Sequence, residues 1–266
     1  MVTEIKNQYY KKFDEFLQTK HEVILEKYVD KIDLIKEVID YSLHLRYVMN
    51  AVFFEEVQKT GKKLDGPTAL IPFLYDKNNH YLIAAYKLAV FGLINPSNSI
   101  LRAIFEGITQ IYLLYLTNNE AELYYKKQLG LLTPVEKKEL KNKYHNLKPQ
   151  MVRNILYCES KKKQIEDFYS VISNTTHPSI IGAMGDIGLE DEIMKDTLGG
   201  ILALGSANII AYYEIYSDDL DNNCEIPNDL LYKVSKELDG FMIDIIPNKP
   251  TYSEKLKIMF KPPNQT

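Results

Sequence analysis

The chain has 266 residues, 45% hydrophobic and 26% charged, with a net charge of −4. These are the proportions of an ordinary globular protein with enough chain for one large core. A negative net charge argues against a surface that is basic throughout, though a local basic patch remains compatible with it. The two cysteines, Cys158 and Cys224, have no metal-type spacing, so free thiols in a reducing compartment are expected. The N-terminus, MVTEIKNQYYKKFDEF, lacks the apolar segment of a signal peptide, and no clean apolar run of spanning length is evident. The expectation is a cytoplasmic protein with no membrane partner.

Period 3.6 dominates the hydrophobic pattern and sustained alternation is nearly absent, which predicts an all-α fold. Phe13, Phe16, Leu17, Ile24, Tyr28, Ile32, Ile35, Ile39, Leu43 and Tyr47 form an apolar stripe with charged residues opposite. This predicts one very long helix, or two in series, to about residue 58. GKKLDGPTALIPF (61–73), with two glycines and two prolines, reads as a connector. A helix is expected over about 79–93 and the next from Asn95-Pro96, with Asn95 as cap and Pro96 in the first turn, ending near Asn118.

Residues 120–166 are Lys-rich and amphipathic and read as a peripheral helical excursion. Within it Thr133, Pro134 and Glu136 form a capping-box signature. A helix over about 162–176 must stop near His177, because Pro178 disfavours helical geometry in the residue before it. A loop with Gly182, Gly185 and Gly188 follows, then an apolar helix over about 191–217, an acidic turn to Asn223 and a short helix over about 227–240. The predicted architecture is a single-domain antiparallel helical bundle over 1–246, with 79–217 as its core and 247–266 as a surface arm or tail.

One polar stretch stands out. Arg102 is one of three arginines, with Arg46 and Arg153, among 32 Lys and Arg, and it sits in SNSILRAIFEGI with Glu106 one turn on. No other Asp, Glu, Lys or Arg occurs between Lys87 and Glu120. On a wheel of about 100° per residue, Asn95, Asn98, Ser99, Arg102, Glu106, Thr109, Gln110 and Thr117 share a stripe roughly 120° wide. A face that is polar yet nearly uncharged suits a cleft or a packed surface, where an isolated charge is costly and a paired one is tolerated. The competing reading is a solvent-facing i,i+4 pair.

DFYSVISNTTHPS has the same character, with no formal charge between Asp167 and Asp186. Tyr169, Ser173 and His177 are spaced four apart and line one face, where a phenol, a hydroxyl and an imidazole can hydrogen-bond a ligand. Against this stands a helix C-terminus at which His177 only bonds the last carbonyls. Asn208 adds a polar group to a third charge-poor helix. Arg102, Glu106 and His177 are therefore the candidate catalytic residues, and Tyr169, Ser173 and Asn208 the candidate ligand-binding residues. No metal or cofactor is expected, since neither H-x-x-x-H nor E-x-x-H spacing occurs.

The order R-x-x-x-E (Arg102, Glu106), charged excursion, then Y-x-x-x-S-x-x-x-H-P (Tyr169, Ser173, His177, Pro178) resembles a group of uncharacterised microbial helical proteins. These are related to the HEPN (higher eukaryotes and prokaryotes nucleotide-binding) superfamily, and the resemblance spans about residues 80–216. It implies a helical, often dimeric protein that handles nucleotide or RNA, as a metal-independent ribonuclease or a degenerate relative in a toxin or defence-type system. Active members carry R-x4–6-H within one helix, and no arginine here is followed by such a histidine. The resemblance thus implies that His177 reaches Arg102 from a neighbouring helix, the imidazole as general acid or base and the guanidinium for phosphate charge. The alternative is a non-catalytic interaction or scaffold protein that docks a partner or second copy through its long N-terminal helix. Its Arg/Glu/His cluster would then be structural.

Overall fold

The computed structural model describes residues 2–60, 66–174, 190–220, 228–238 and 246–247. Among them are ten α-helices, two short 3-10 turns and no strand. The helices are α1 (Val2–Lys27), α2 (Val29–Thr60), α3 (Ile71–Val90), α4 (Ile94–Leu116), α5 (Asn119–Gln128), α6 (Pro134–Asn142), α7 (Pro149–Leu156), α8 (Glu159–Asn174), α9 (Glu190–Leu220) and α10 (Asn228–Glu237). The all-α bundle read from hydrophobic periodicity is the fold observed.

The N-terminal stripe resolves into two helices in series. Helical hydrogen bonds run through the joint, from Tyr28 N to the Ile24 carbonyl (3.1 Å) and from Ile32 N to the Tyr28 carbonyl (2.9 Å), so it is a kink and not a loop. The kink is pinned from outside: the Tyr28 phenol donates to the Asp191 carboxylate at the start of α9, and Lys27 Nζ lies 2.5 Å from the same group. α1 joins the bundle through its last two turns, where His21 stacks on Phe91 and Ile24 is buried, while Phe16 stands exposed. His21 is thus packed, its Nδ1 3.0 Å from the Val90 carbonyl. The expected stripe also drifts off the true face, since Tyr47 is 76% exposed. The buried residues of α2 are Ile32, Ile35, Val38, Ile39, Ser42, Leu45 and Met49, a spacing nearer 3.5 than 3.6 that keeps one seam facing its neighbours.

α3 begins at Ile71, eight residues before its expected start. The prolines taken as breakers open helices: Pro67 begins a 3-10 turn and Pro72 stands in the first turn of α3, where a missing N–H costs nothing. α4 begins one residue before Asn95, so Asn95 is not the cap; its carbonyl accepts from Ser99 Oγ at 3.0 Å. The capping box at Thr133 is present as read, with Thr133 Oγ1 accepting from Glu136 N and the Glu136 carboxylate accepting from Thr133 N.

The core is formed where α2, α3, α4 and α9 pack against one another, and α9 is buried from Gly200 through Tyr213. Contrary to the expectation of no such run, α4 and the stretch Asp191–Tyr216 are long and apolar enough to cross a membrane by length and composition. Most of each apolar window, 56% and 83%, is buried inside the bundle. At the centre lies a sealed polar chain. Ser42 Oγ donates to Asn79 Oδ1 (2.7 Å), Asn208 Nδ2 to the same oxygen (3.0 Å) and Asn78 Nδ2 to Asn208 Oδ1 (2.9 Å), all four residues being buried. Such interlinked groups tie three helices into one register.

The candidate site across three helices

The polar stripe of α4 divides when the helix is packed. Asn98 and Thr109 are buried, Asn98 accepting from Thr197 of α9 and Thr109 donating to the Glu106 carbonyl. Asn95 and Ser99 face solvent. Arg102 and Glu106 stand between, with side chains 34% and 25% exposed. Arg102 Nε donates to Glu106 Oε1 at 3.0 Å, and Tyr169 of α8 donates its phenol to the same oxygen at 2.8 Å. The Arg102 guanidinium also lies 5.2 Å from the centre of the Tyr169 ring.

A second arginine completes the arrangement. Arg153 of α7 is buried, with its guanidinium 3.8 Å over the Tyr169 ring. It holds Glu166 of α8 bidentately, Nε to Oε1 at 2.8 Å and Nη2 to Oε2 at 3.0 Å. Its remaining nitrogen, Nη1, is buried and finds no hydrogen-bond partner among the described residues. Phe105, between Arg102 and Glu106 in sequence, meets Phe168 edge-on at 5.6 Å and so seats α8 on α4. The result is a ladder, Glu166–Arg153–Tyr169–Glu106–Arg102, two cations and two anions about one phenol ring.

The protonation states follow from these contacts. The hydrogen bond to Glu106 raises the Arg102 pKa further, so the guanidinium is a permanent cation. Burial, and then the bond to Glu106, raise the Tyr169 pKa, so its hydroxyl is a donor and not a base. As described, the ladder can bind and orient: a fixed cation for an anionic group, a carboxylate for hydroxyl or amino donors, and a neutral phenol between them.

Of the residues picked out from sequence, Arg102, Glu106 and Tyr169 come together. Ser173 lies one turn further along α8, half-buried. His177 lies outside the described residues. Asn208 belongs elsewhere, to the sealed Asn78–Asn79 network, because its face of α9 turns toward α3. Arg153 and Glu166 were missed. The signal that could have found them is arginine usage itself: in a chain that uses lysine almost throughout, Arg46, Arg102 and Arg153 each hold a carboxylate, Arg46 through Asp76 at 2.7 Å. Arginine is chosen over lysine where planar, two-pronged contact or stacking is needed.

Among the described residues no three His, Cys, Asp or Glu side chains gather as a metal-binding group. Compared with family models, curated proteins and solved structures, the chain matches none.

Proposed function

We propose that the chain is a HEPN-like helical protein that handles nucleotide or RNA, with Arg102, Glu106 and Tyr169 as the surface that meets it. The observation that supports this reading is a guanidinium fixed by Glu106 with a third of its side chain open to solvent. A guanidinium held in place but still reachable suits a phosphate oxygen, and Glu106 beside it suits the hydroxyl and amino donors of a nucleotide. Neither arginine nor a neutral phenol exchanges protons near neutrality, so RNA cleavage on this reading draws its acid–base group from His177. The protein would act in the cytoplasm as a homo-oligomer.

A labelled mixed RNA pool, and separately free nucleotides, are titrated with wild type, Arg102→Ala, Glu106→Gln and His177→Ala. The reading expects Arg102→Ala to weaken binding by about tenfold or more, the worth of one charge-assisted hydrogen bond. His177→Ala should bind as wild type but lose cleavage. No binding or cleavage by wild type, with Arg102→Ala lowering only the melting temperature, overturns it. The reading then favoured is a non-catalytic interaction or scaffold protein, for which the burial of Arg153 speaks: its guanidinium is engaged in pinning α7 to α8.

A further inference from the structure

Well away from the ladder in sequence, the turn joining α5 to α6 presents an apolar tip. α5 ends in a paired closure: Leu131 N donates to the Lys126 carbonyl (2.8 Å) and Gly130 N to the Lys127 carbonyl (3.3 Å), with Gly130 at φ 71°. This C-terminal motif ordinarily folds the apolar residue after the glycine back onto the helix. Here the position it would cover is Lys126, and Leu131 is left 61% exposed. Leu129 beside it and Val135 in the first turn of α6 are exposed as well. Single exposed aliphatics need no explanation, but three within seven residues at the tip of one turn do. The tip is also preorganised, held by the closure of α5 on one side and the Thr133 capping box on the other.

The surroundings are cationic. Residues 126–148 contain seven Lys against two Glu, in a chain whose net charge is −4. Lys127, Lys137, Lys138, Lys141, Lys143 and Lys148 are exposed. The acids nearest the tip are already engaged: Glu136 accepts from Lys126 (2.8 Å) and from Thr133, and Glu139 accepts from Asn119. Exposed aliphatic side chains bordered by lysines combine the two attractions that peripheral membrane anchors use, insertion below the headgroups and pairing with lipid phosphates. RNA would make use of the lysines but not of Leu129, Leu131 and Val135, and the tip has no aromatic ring on which a base could stack.

We propose that the α5–α6 corner docks the protein on an anionic lipid surface, with Leu129, Leu131 and Val135 entering the interface and the lysines of α5 and α6 meeting the headgroups. This is peripheral docking and shares no residue with the Arg102 site. The test is flotation of the full chain with vesicles of phosphatidylcholine alone and of phosphatidylcholine mixed with phosphatidylglycerol. Wild type should float with the mixed vesicles, not with the neutral ones, and less so as salt is raised. Leu131→Asp/Val135→Asp and Lys137→Glu/Lys138→Glu should each reduce partitioning by about tenfold or more. All four positions are exposed, so melting temperatures should match wild type. Failure of wild type to float with anionic vesicles overturns the proposal, and so does undiminished flotation of the aspartate variant. Loss of RNA binding in the lysine variant, with wild-type flotation, would reassign the corner to nucleic acid.

Discussion

At position 107 the bundle has room for a hydrogen and nothing larger. A Cβ there would lie 2.1 Å from Asn78 Oδ1, and Asn78 is held on the other side by its bond to Asn208. In an exposed helix, glycine to alanine stabilises by about 1 kcal/mol. Here the methyl must displace a buried amide from its partner, which costs about 1–3 kcal/mol from overpacking alone. The sign therefore reverses, and Gly107→Ala is expected to lower stability in urea unfolding. If the clash with Asn78 is the cause, Asn78→Ala should absorb most of that loss. Equal losses in the wild-type and Asn78→Ala backgrounds would show that the two residues are not coupled and sink this account.

Between elements, Arg153 is the fastening of α7 onto α8. Removing one member of a fully buried ion pair costs about 3–5 kcal/mol, because a charge is stranded. Here the side chain left behind, Glu166, is 43% exposed and can rehydrate, so Arg153→Met should cost less, roughly 1–3 kcal/mol by chemical denaturation. Arg153→Lys should recover little of it, since lysine neither bridges both oxygens nor stacks flat on Tyr169. Recovery of wild-type stability by lysine would mean that charge alone matters. The same pair marks the limit of sequence reading. Arg102 and Glu106 were legible because they are one turn apart in a stretch without other charges. Arg153 was not, because it stands among lysines that read as a solvated face, and its partner belongs to the next helix. Asn208 misled for a related reason: its partners Asn78 and Asn79 are 130 and 129 residues away, and no helical wheel relates them. The bundle itself was readable because burial imposes a helical period on every long segment. The helix start at Ile71 was not, because proline opens a helix as readily as it ends one.

Across the whole molecule, α4 and the buried stretch of α9 (200–213) carry only Arg102 and Glu106 as charges, and the first charge past that stretch is Glu214. Tyr112 of α4 donates to its Oε2 at 3.0 Å, while Oε1 is buried and finds no hydrogen-bond partner among the described residues. Burial pushes this carboxyl up to about 8, against which the Tyr112 bond pulls only weakly. At neutral pH Glu214 is therefore mostly the neutral acid in the folded chain and a carboxylate in the unfolded one, so folding takes up a proton. Its contribution to stability is fully present below the ordinary carboxylate pKa and is lost as pH rises toward about 8, at a slope of roughly 1.4 kcal/mol per pH unit. Glu214→Gln keeps an acceptor for Tyr112 and titrates nothing. Every other group that ionises between about pH 5 and 8 is common to both proteins, so the difference between their urea midpoints isolates this one. That difference should widen in favour of the variant across the interval, with the two proteins closest at its acid end. Parallel midpoints from pH 5 to 8 would mean that Glu214 is ionised in the folded chain, held by a charge or by water that reaches Oε1 between α4 and α9.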